Sequence, residues 1–325
     1  MSKKNTQAQT ASAETANVKK VYDFCAKKKV ILGILIGVLV ALVIGIIARG
    51  VDLAIEFKGG TIISYTYQGD VDTNAVSDTV KSIVNTSITV RTGESLDSDA
   101  KQITISFTSN EGLTADRQTE LTNALRENFA DNDFTLYDSN DVAPTSGREF
   151  LLKCLVAVIF AAIVVIIYIA IRFRNIGGWS AGVCSVFALL HDILVAVTVT
   201  ILFGFEFNSN LVAVILTILG YSINNTIVIY DRIREDRKLM PKASLDELIN
   251  VSCTQSLTRS IRTSITTIST MLIVTIVVLI KGYDSLLSFS VPLMFGLISG
   301  TYSSLFVAPV TWSWWKNKQA KKSSK

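Results

Sequence analysis

Six apolar stretches constrain this chain more than any other feature of its sequence. They cover roughly residues 30–48, 150–171, 178–203, 209–230, 260–280 and 285–312. An α-helix rises about 1.5 Å per residue, so about 20 apolar residues cross the roughly 30 Å of hydrocarbon in a bilayer. The sequence therefore predicts a membrane protein with six transmembrane helices.

The first stretch follows the basic residues 27–29 and could be taken for a signal peptide. Its apolar run, 30–47, is longer than a usual h-region, and no small-x-small cleavage site follows it. We therefore predict an uncleaved span after a cytoplasmic tail at 1–29. Residues 1–17 of that tail are polar, lack apolar periodicity and are predicted to be disordered.

The charged residues predict how the spans are oriented. With the N-terminus inside, the inner segments are the two tails, the 172–177 turn and residues 231–262, and they hold 21 basic and 7 acidic residues. The outer segments hold 9 basic and 19 acidic residues. Because cytoplasmic loops retain Lys and Arg, both ends, including the basic tail at 313–325, are predicted to be cytoplasmic.

The position of the basic runs also bears on partners. They lie beside spans, where membrane topology already explains them, so nucleic-acid binding is not predicted. The basic inner loops instead suit the anionic membrane lipids of the cytoplasmic leaflet.

Residues 49–149 form a polar segment that is long enough to fold by itself outside the membrane. Periodicity predicts strands at 61–67, 87–91, 102–107 and 134–137, and helices at 74–84 and about 114–129, the second capped by Thr114. The order βαββαβ indicates a ferredoxin-like α+β domain with two helices on one face of an antiparallel sheet. Strand addition to an extended chain is compatible with this domain, but the fold alone does not establish it.

The remaining spans, 150–312, are predicted to form a five-helix bundle with a cytoplasmic segment at 231–258. Within that segment, 244–251 predicts an amphipathic helix along the membrane surface, with a plain connecting helix as the alternative. Gly-x-x-x-Gly pairs that begin at Gly33, Gly178 and Gly296 predict close approach of helices.

Polar residues at membrane depth are the candidate functional residues, because a central Asp costs about 2.5 to 3.5 kcal/mol on insertion scales. His191 and Asp192 lie near the middle of the third span. Asp192 must therefore be protonated, paired or in a hydrated cavity. A structural hydrogen bond between helices is the alternative to a functional role.

Two further polar groups complete the candidate ion or translocation path. Asn224 and Asn225 need partners in the bundle, through either interhelical hydrogen bonds or a hydrated path. Arg259 and Arg262 begin the fifth span on neighbouring parts of one helix face. Snorkelling to the headgroups explains at least one of them, and an inward Arg259 would stabilise an ionised carboxylate and tune a proton site.

The sequence gives no sign of an enzyme or a cofactor. The four Cys lie in predicted membrane or cytoplasmic parts, so no disulfide is expected. One His and no Cys-x-x-Cys pair leave no metal or haem site to predict, and the GxxxxGK[ST] loop of nucleotide-binding proteins is absent. Neither a nucleophile placed with His191 nor a second Asp in the spans is present for hydrolase chemistry.

Four segments occur in a fixed order beside the predicted spans. They are AIEFKGGT at 54–61, LLHD at 189–192, GYSINNT at 220–226 and GTYSS at 300–304. Together they closely resemble the signatures of the SecF proteins of the SecD/SecF family, which belongs to the RND superfamily. The resemblance covers about residues 30–315.

This resemblance implies a function in protein export. Such a subunit pairs with SecD beside the SecYEG channel and YajC, and its outer domain helps to draw an unfolded preprotein outward using the proton-motive force. ATP would be spent by SecA. A separate SecD polypeptide is expected for a chain of this length.

The resemblance also marks where this chain departs from the family. A carboxylate in the fourth span and an arginine in the fifth are associated with proton passage in the family. Arg259 matches the arginine, whereas Asn225 stands at the carboxylate position and an amide cannot titrate. In the first motif, Ala54, Glu56 and Lys58 replace the expected Gly, Asp and Thr.

The amide at position 225 keeps several readings open. A SecD carboxylate or Asp192 takes the proton, another ion is used, or the subunit acts without ion coupling. A passive assembly factor for export or insertion subunits is therefore one alternative function. An RND-type small-molecule exporter is another, although such exporters have two six-span halves in one chain and larger outer domains.

Overall fold

The computed structural model describes residues 21–84, 86, 88–94, 101–108 and 113–323. The predicted tail at 1–17 lies outside these residues, as does residue 87 at the start of a predicted strand. Six helices in the described part are long and apolar enough to cross a membrane, as predicted, and the chain is a multi-pass membrane protein. The first to sixth spans are Cys25–Arg49, Pro144–Arg172, Gly178–Phe203, Ser209–Leu239, Leu245–Lys281 and Leu286–Lys322.

The sixth span is interrupted, and glycines end the third and fifth spans. The sixth consists of helices Asp284–Tyr302 and Ala308–Ser323 joined by a π-helical turn, Ser303–Val307. Gly204 and Gly282 end the third and fifth spans in the left-handed conformation, with φ of 73° and 70°. The side chain of Asn208 accepts a 3.2 Å hydrogen bond from the Leu211 amide and caps the start of the fourth span.

The prediction of a separate surface helix at 244–251 is wrong. These residues are the cap and first turns of the fifth span, which runs without a break from Leu245 to Lys281. Ser244 caps this helix by accepting a 3.2 Å hydrogen bond from the Glu247 amide, and no Gly or Pro interrupts the helix afterwards. Leu248 and Ile249 are buried in the main apolar cluster of the bundle, so this face packs against protein.

The domain between the first two spans has the predicted βαββαβ order. Strands β1 to β4 are Gly60–Tyr67, Ile88–Glu94, Lys101–Phe107 and Thr135–Val142, and the helices are Thr73–Val84 and Ala115–Asn128. The antiparallel sheet has the order β2-β3-β1-β4, which places β2 and β4 at its edges. Thr114 stands at the cap position of the second helix, but its side chain makes no capping hydrogen bond.

Burial distinguishes the spans at the centre of the bundle from those at its periphery. In the most apolar 18-residue stretch of each span, half or more of the residues are buried in the third and sixth spans, against 6% in each of the first two. Two of the three Gly-x-x-x-Gly pairs lie at helix contacts: a Cβ on Gly182 would lie 3.1 Å from the Ile166 carbonyl oxygen, and one on Gly300 would lie 3.2 Å from the Ser222 Cβ. The first pair meets no neighbouring helix of the described chain, because no described atom lies within 4 Å of a Cβ on Gly33 or Gly37.

The domain between the first two spans is joined to the bundle at the AIEFKGGT segment. The short helix Ile55–Lys58 lies beside the second span, where a Cβ on Gly59 would come within 2.5 Å of the Pro144 Cα. Gly59 also has a φ of 84°, so both its backbone conformation and its surroundings favour glycine. Glu56 accepts a 2.8 Å hydrogen bond from the Ser209 amide at the start of the fourth span.

Candidate functional site

Asp192 lies at the centre of a hydrogen-bonded cluster inside the bundle. It is fully buried in the third span. Its Oδ2 accepts hydrogen bonds from Ser222 of the fourth span (2.8 Å) and Ser303 of the sixth (2.6 Å), and its Oδ1 accepts one from Ser299 of the sixth (2.6 Å). Three hydroxyl groups from two neighbouring spans thus replace the water that a carboxylate loses on burial.

The backbone around this cluster allows the sixth span to approach closely. Gly300 has no side chain of its own, so its backbone lies directly against the side chain of Ser222. Ser303 begins the π-helical turn, and such turns in α-helices are frequent at functional sites. The turn follows Pro292, which lies inside the same helix and removes one of its backbone donors. Among the described spans, Asp192 therefore faces the one that contains a π-helical turn.

His191 is the second titratable group of this cluster. Its side chain is 3% exposed, and its Nδ1 lies 3.3 Å from both Asp192 Oδ1 and Ser299 Oγ. Its ring centroid lies 6.0 Å from that of Tyr302. Within the described chain, its Nε2 has no hydrogen-bond partner. An imidazole thus adjoins the carboxylate, and its Nε2 is able to donate or accept a further hydrogen bond, depending on the tautomer.

A second polar cluster joins the fourth, fifth and sixth spans. The Tyr221 hydroxyl donates a 2.9 Å hydrogen bond to the Ser264 hydroxyl, and the Thr301 hydroxyl donates a second one, also of 2.9 Å, to the same Ser264 oxygen. Tyr221 and Ser222 are neighbours in sequence, as are Thr301 and Tyr302, so this cluster adjoins the Asp192 cluster. The GYSINNT and GTYSS segments therefore supply hydroxyl groups to both clusters.

The two asparagines differ in their surroundings. Asn225 is 4% exposed and lies three residues, about 4.5 Å of helix rise, beyond Ser222. Its Nδ2 is buried and has no hydrogen-bond partner among the described residues. Asn224 is exposed on the outside of this chain. Neither contributes a hydrogen bond to Asp192 in the part of the chain that the structure describes.

Both arginines of the fifth span are exposed rather than turned toward Asp192. Arg259 lines a polar cavity of about 790 Å³ between the fourth and fifth spans, together with Asp231 and Arg232. The inward orientation that would stabilise the Asp192 carboxylate is therefore absent among the described residues. Exposure on the bundle surface agrees with snorkelling for Arg259 and Arg262 alike.

The end of the fourth span and the start of the fifth are tied by a buried carboxylate that sequence reasoning missed. Asp236 is fully buried, accepts a 2.7 Å hydrogen bond from Ser252, and lies 3.5 Å from the Nε of Arg232. The same guanidinium donates a 2.6 Å hydrogen bond to Gln255. A cluster of Arg and Asp residues after a span gave no sequence signal for burial, because such clusters are usually solvated.

Most of this chain matches proteins of one known family. The family model described as protein export membrane protein SecD/SecF, C-terminal, matches residues 121–318. The protein translocase subunit SecF of Petrotoga mobilis is 32% identical over 290 residues, which are 88% of this chain and 93% of the relative. The chain belongs to the SecD/SecF family. This confirms the resemblance found in the four sequence segments.

Other SecD/SecF relatives are longer than this chain. The protein translocase subunit SecDF of Bacillus subtilis is 33% identical over 312 residues, and the match covers 93% of this chain but 39% of the relative. The crystal structure of SecDF, a translocon-associated membrane protein from Thermus thermophilus, superposes with a TM-score of 0.75 at 27% identity. That match also covers 93% of this chain and 39% of the other, and it confirms the fold.

Among the described residues, no group of three His, Cys, Asp or Glu side chains could hold a metal ion. The polar centre of the bundle contains one carboxylate, one imidazole and several hydroxyl groups. Hydroxyl groups both donate and accept hydrogen bonds, so this cluster accommodates Asp192 with or without a proton.

Proposed function

We propose that this chain is an accessory subunit of the Sec preprotein translocase that, together with SecD, promotes late steps of protein export across the cytoplasmic membrane. The observation that supports this most directly is its match to SecF of Petrotoga mobilis over 93% of that relative. The proposed partners are SecD as a heterodimer, SecYEG, SecA, YajC and the unfolded preprotein. No catalytic reaction is part of the proposal.

The proposed orientation has both ends in the cytoplasm and the ferredoxin-like domain outside. The excess of 21 basic over 7 acidic residues in the inner segments supports it. The outer domain would then meet the preprotein as it leaves the channel. Its edge strand β4 exposes most of its side chains, which suits strand addition to an extended chain.

Energy from the proton-motive force is proposed to enter through Asp192. Moving a charge to membrane depth is costly, so a carboxylate that is kept there needs a function or a partner. Here the partners are hydroxyl groups on two other spans, and one of them lies in the π-helical turn. Protonation of Asp192 would replace an acceptor by a donor in this cluster, and the contacts of the sixth span would change with it.

The contact with SecD is proposed to lie on the face of the fourth and fifth spans that bears Asn224 and Arg259. These polar side chains are exposed in this chain alone, where lipid tails would provide no hydrogen bonds. Thr263 and Thr270 continue the face, with their hydroxyl groups bonded to Arg259 and Thr266 carbonyl oxygens of their own helix. A SecD carboxylate near Arg259 would replace the one missing at Asn225.

The experiment that tests the proposed function follows secretory precursors in cells depleted of this protein. We expect several unrelated unprocessed precursors to accumulate, and the intact gene to restore their maturation. Normal maturation, even at low temperature, would contradict an export function and favour the RND-type small-molecule exporter.

A passive assembly factor is the second candidate, and the amide at Asn225 is the observation that favours it. An uncoupler separates the two functions. If the chain couples export to proton movement, dissipating the gradient slows export more in cells with the protein than in depleted cells. Equal sensitivity would support the assembly factor.

A further inference from the structure

An apolar groove lies between the first, third and sixth spans, away from the polar clusters. It has a volume of about 510 Å³. Its wall includes Ile31 and Leu35 of the first span, Val183 and Phe187 of the third, and Val310 of the sixth. Most side chains of the first span are exposed in this chain. The groove is thus an apolar channel open toward the surrounding lipid.

The mouth of the groove has a different chemistry from its wall. Lys28 and Lys29 border it at the start of the first span, and Trp314 and Trp315 border it at the end of the sixth. The residues that line the groove include no Asp or Glu. Tryptophan is enriched at the level of the headgroups, where its ring is apolar and its N–H remains wet. The mouth is therefore positively charged and lies at the membrane surface.

The orientation proposed above decides which membrane surface this is. Six spans return the chain to the side from which it started, so Lys28 and Trp315 lie on the same side. With the inner segments cytoplasmic, the mouth faces the inner leaflet, whose anionic lipids attract basic side chains.

We propose that this groove holds one acyl chain of an anionic phospholipid, with the headgroup phosphate bound by Lys28 and Lys29. The apolar wall takes the acyl chain and the two ammonium groups balance the headgroup charge. A transmembrane helix of a partner fits less well, because a helix about 10 Å across would fill 510 Å³ with roughly one turn of its length. The inference does not depend on the proposed export function.

The test uses the full-length protein, purified in detergent and titrated with dioleoyl phosphatidylglycerol or dioleoyl phosphatidylcholine. The acyl chains are identical and the headgroups differ in net charge. Native mass spectrometry counts the lipids bound. Since a basic residue near the surface favours an anionic lipid by about fivefold, we expect one phosphatidylglycerol to bind at least about tenfold more tightly than phosphatidylcholine.

Two kinds of variant separate the headgroup from the acyl chain. The double variant Lys28→Gln/Lys29→Gln should lose the preference for phosphatidylglycerol. The matched control Lys238→Gln/Lys242→Gln removes the same charge from exposed lysines away from the groove and should keep it. Val183→Trp fills the groove and should weaken both lipids at least about fivefold.

Several results would overturn the proposal. These are equal binding of the two lipids by the unaltered protein, an equal loss of preference in both lysine variants, or unchanged lipid binding after Val183→Trp. Thermal unfolding checks that each variant is folded. If Val183→Trp does not fold, Leu35→Trp fills the groove from the opposite wall, and unchanged phosphatidylglycerol binding by that variant contradicts the proposal equally.

Discussion

The hydroxyl of Ser303 donates a 2.6 Å hydrogen bond to Oδ2 of Asp192, across 111 positions of sequence. This bond joins the middle of the third span to the π-helical turn of the sixth. It connects the carboxylate at the centre of the described bundle to the one described span that contains a π-helical turn. A change in the protonation of Asp192 would therefore act directly on the sixth span, and through Ser222 on the fourth.

Replacing Asp192 by Asn should abolish the contribution of this protein to export while leaving the fold intact. The amide keeps the shape and one acceptor of the carboxylate but cannot titrate. We expect precursors to accumulate as in depleted cells, with a normal amount of the variant in the membrane. Asp138→Asn on the exposed edge strand β4 is the control for removal of an acidic group. Normal export by Asp192→Asn would remove Asp192 from the proton path.

Replacing Ser303 by Ala should lower the free energy of unfolding by about 1–2 kcal/mol, because a buried carboxylate oxygen loses a donor. Ser304→Ala is a matched control, since Ser304 donates to the Thr301 carbonyl oxygen of its own helix turn at 3.1 Å. Thermal unfolding in detergent measures both. Equal destabilisation by the two variants would mean that the bond to Asp192 contributes no more than a local one.

Glycines of the Gly-x-x-x-Gly pairs should respond to substitution in opposite directions. Gly178→Ala should destabilise the protein, since its Cβ would lie 2.8 Å from the backbone carbon of Phe173, which cannot move aside cheaply. Gly33→Ala should be neutral or stabilising by up to about 1 kcal/mol, because its Cβ meets open space and Ala favours helix. Thermal unfolding tests this prediction: Gly178→Ala should unfold at a lower temperature than the unaltered protein, and Gly33→Ala at the same temperature or a higher one. A loss of stability in Gly33→Ala would reveal a contact of the first span beyond this chain.

Replacing Asn225 by Leu should reduce export several-fold if this residue borders the path. Its buried Nδ2 lacks a partner in the described chain, so water or SecD would satisfy it in the assembled complex. Leu fills the site with an apolar group of similar size. Ile227→Leu, two residues along the same helix, controls for repacking. Export that stays at the wild-type rate in Asn225→Leu would remove this residue from the path.

The sequence was sufficient to predict elements whose periodicity is local. Six spans and the βαββαβ order follow from hydropathy and strand or helix patterns, and Asp192 was identified by the cost of a charge at membrane depth. The partners of Asp192 were not predictable, because Ser222 and Ser303 become its neighbours through the packing of three spans. Their only signal was membership of the GYSINNT and GTYSS segments.

The predictions for the end of the fourth span and for the segment at 244–251 were wrong for physical reasons. The apolar pattern ends at about residue 230, yet the helix continues to Leu239 because polar residues also favour helix and no breaker intervenes. The segment at 244–251 is amphipathic as predicted, but its apolar face packs on protein rather than lipid. Periodicity identifies an apolar face without identifying what covers it.

Replacing Glu56 by Ala should weaken the junction between the α+β domain and the bundle. Glu56 accepts the Ser209 amide at the start of the fourth span, where a negative charge also interacts favourably with the helix dipole. Loss of a capping acceptor costs about 0.5–2 kcal/mol. We expect a lower unfolding temperature and faster proteolysis at the junction, whereas Glu56→Gln, which keeps an acceptor, should lose less. The control is Glu127→Ala, on an exposed position of a domain helix. If Glu56→Ala behaves like Glu127→Ala, the bond between the domain and the fourth span contributes nothing measurable, and the domain is held by its chain connections and by packing such as that of Phe57 on Phe150.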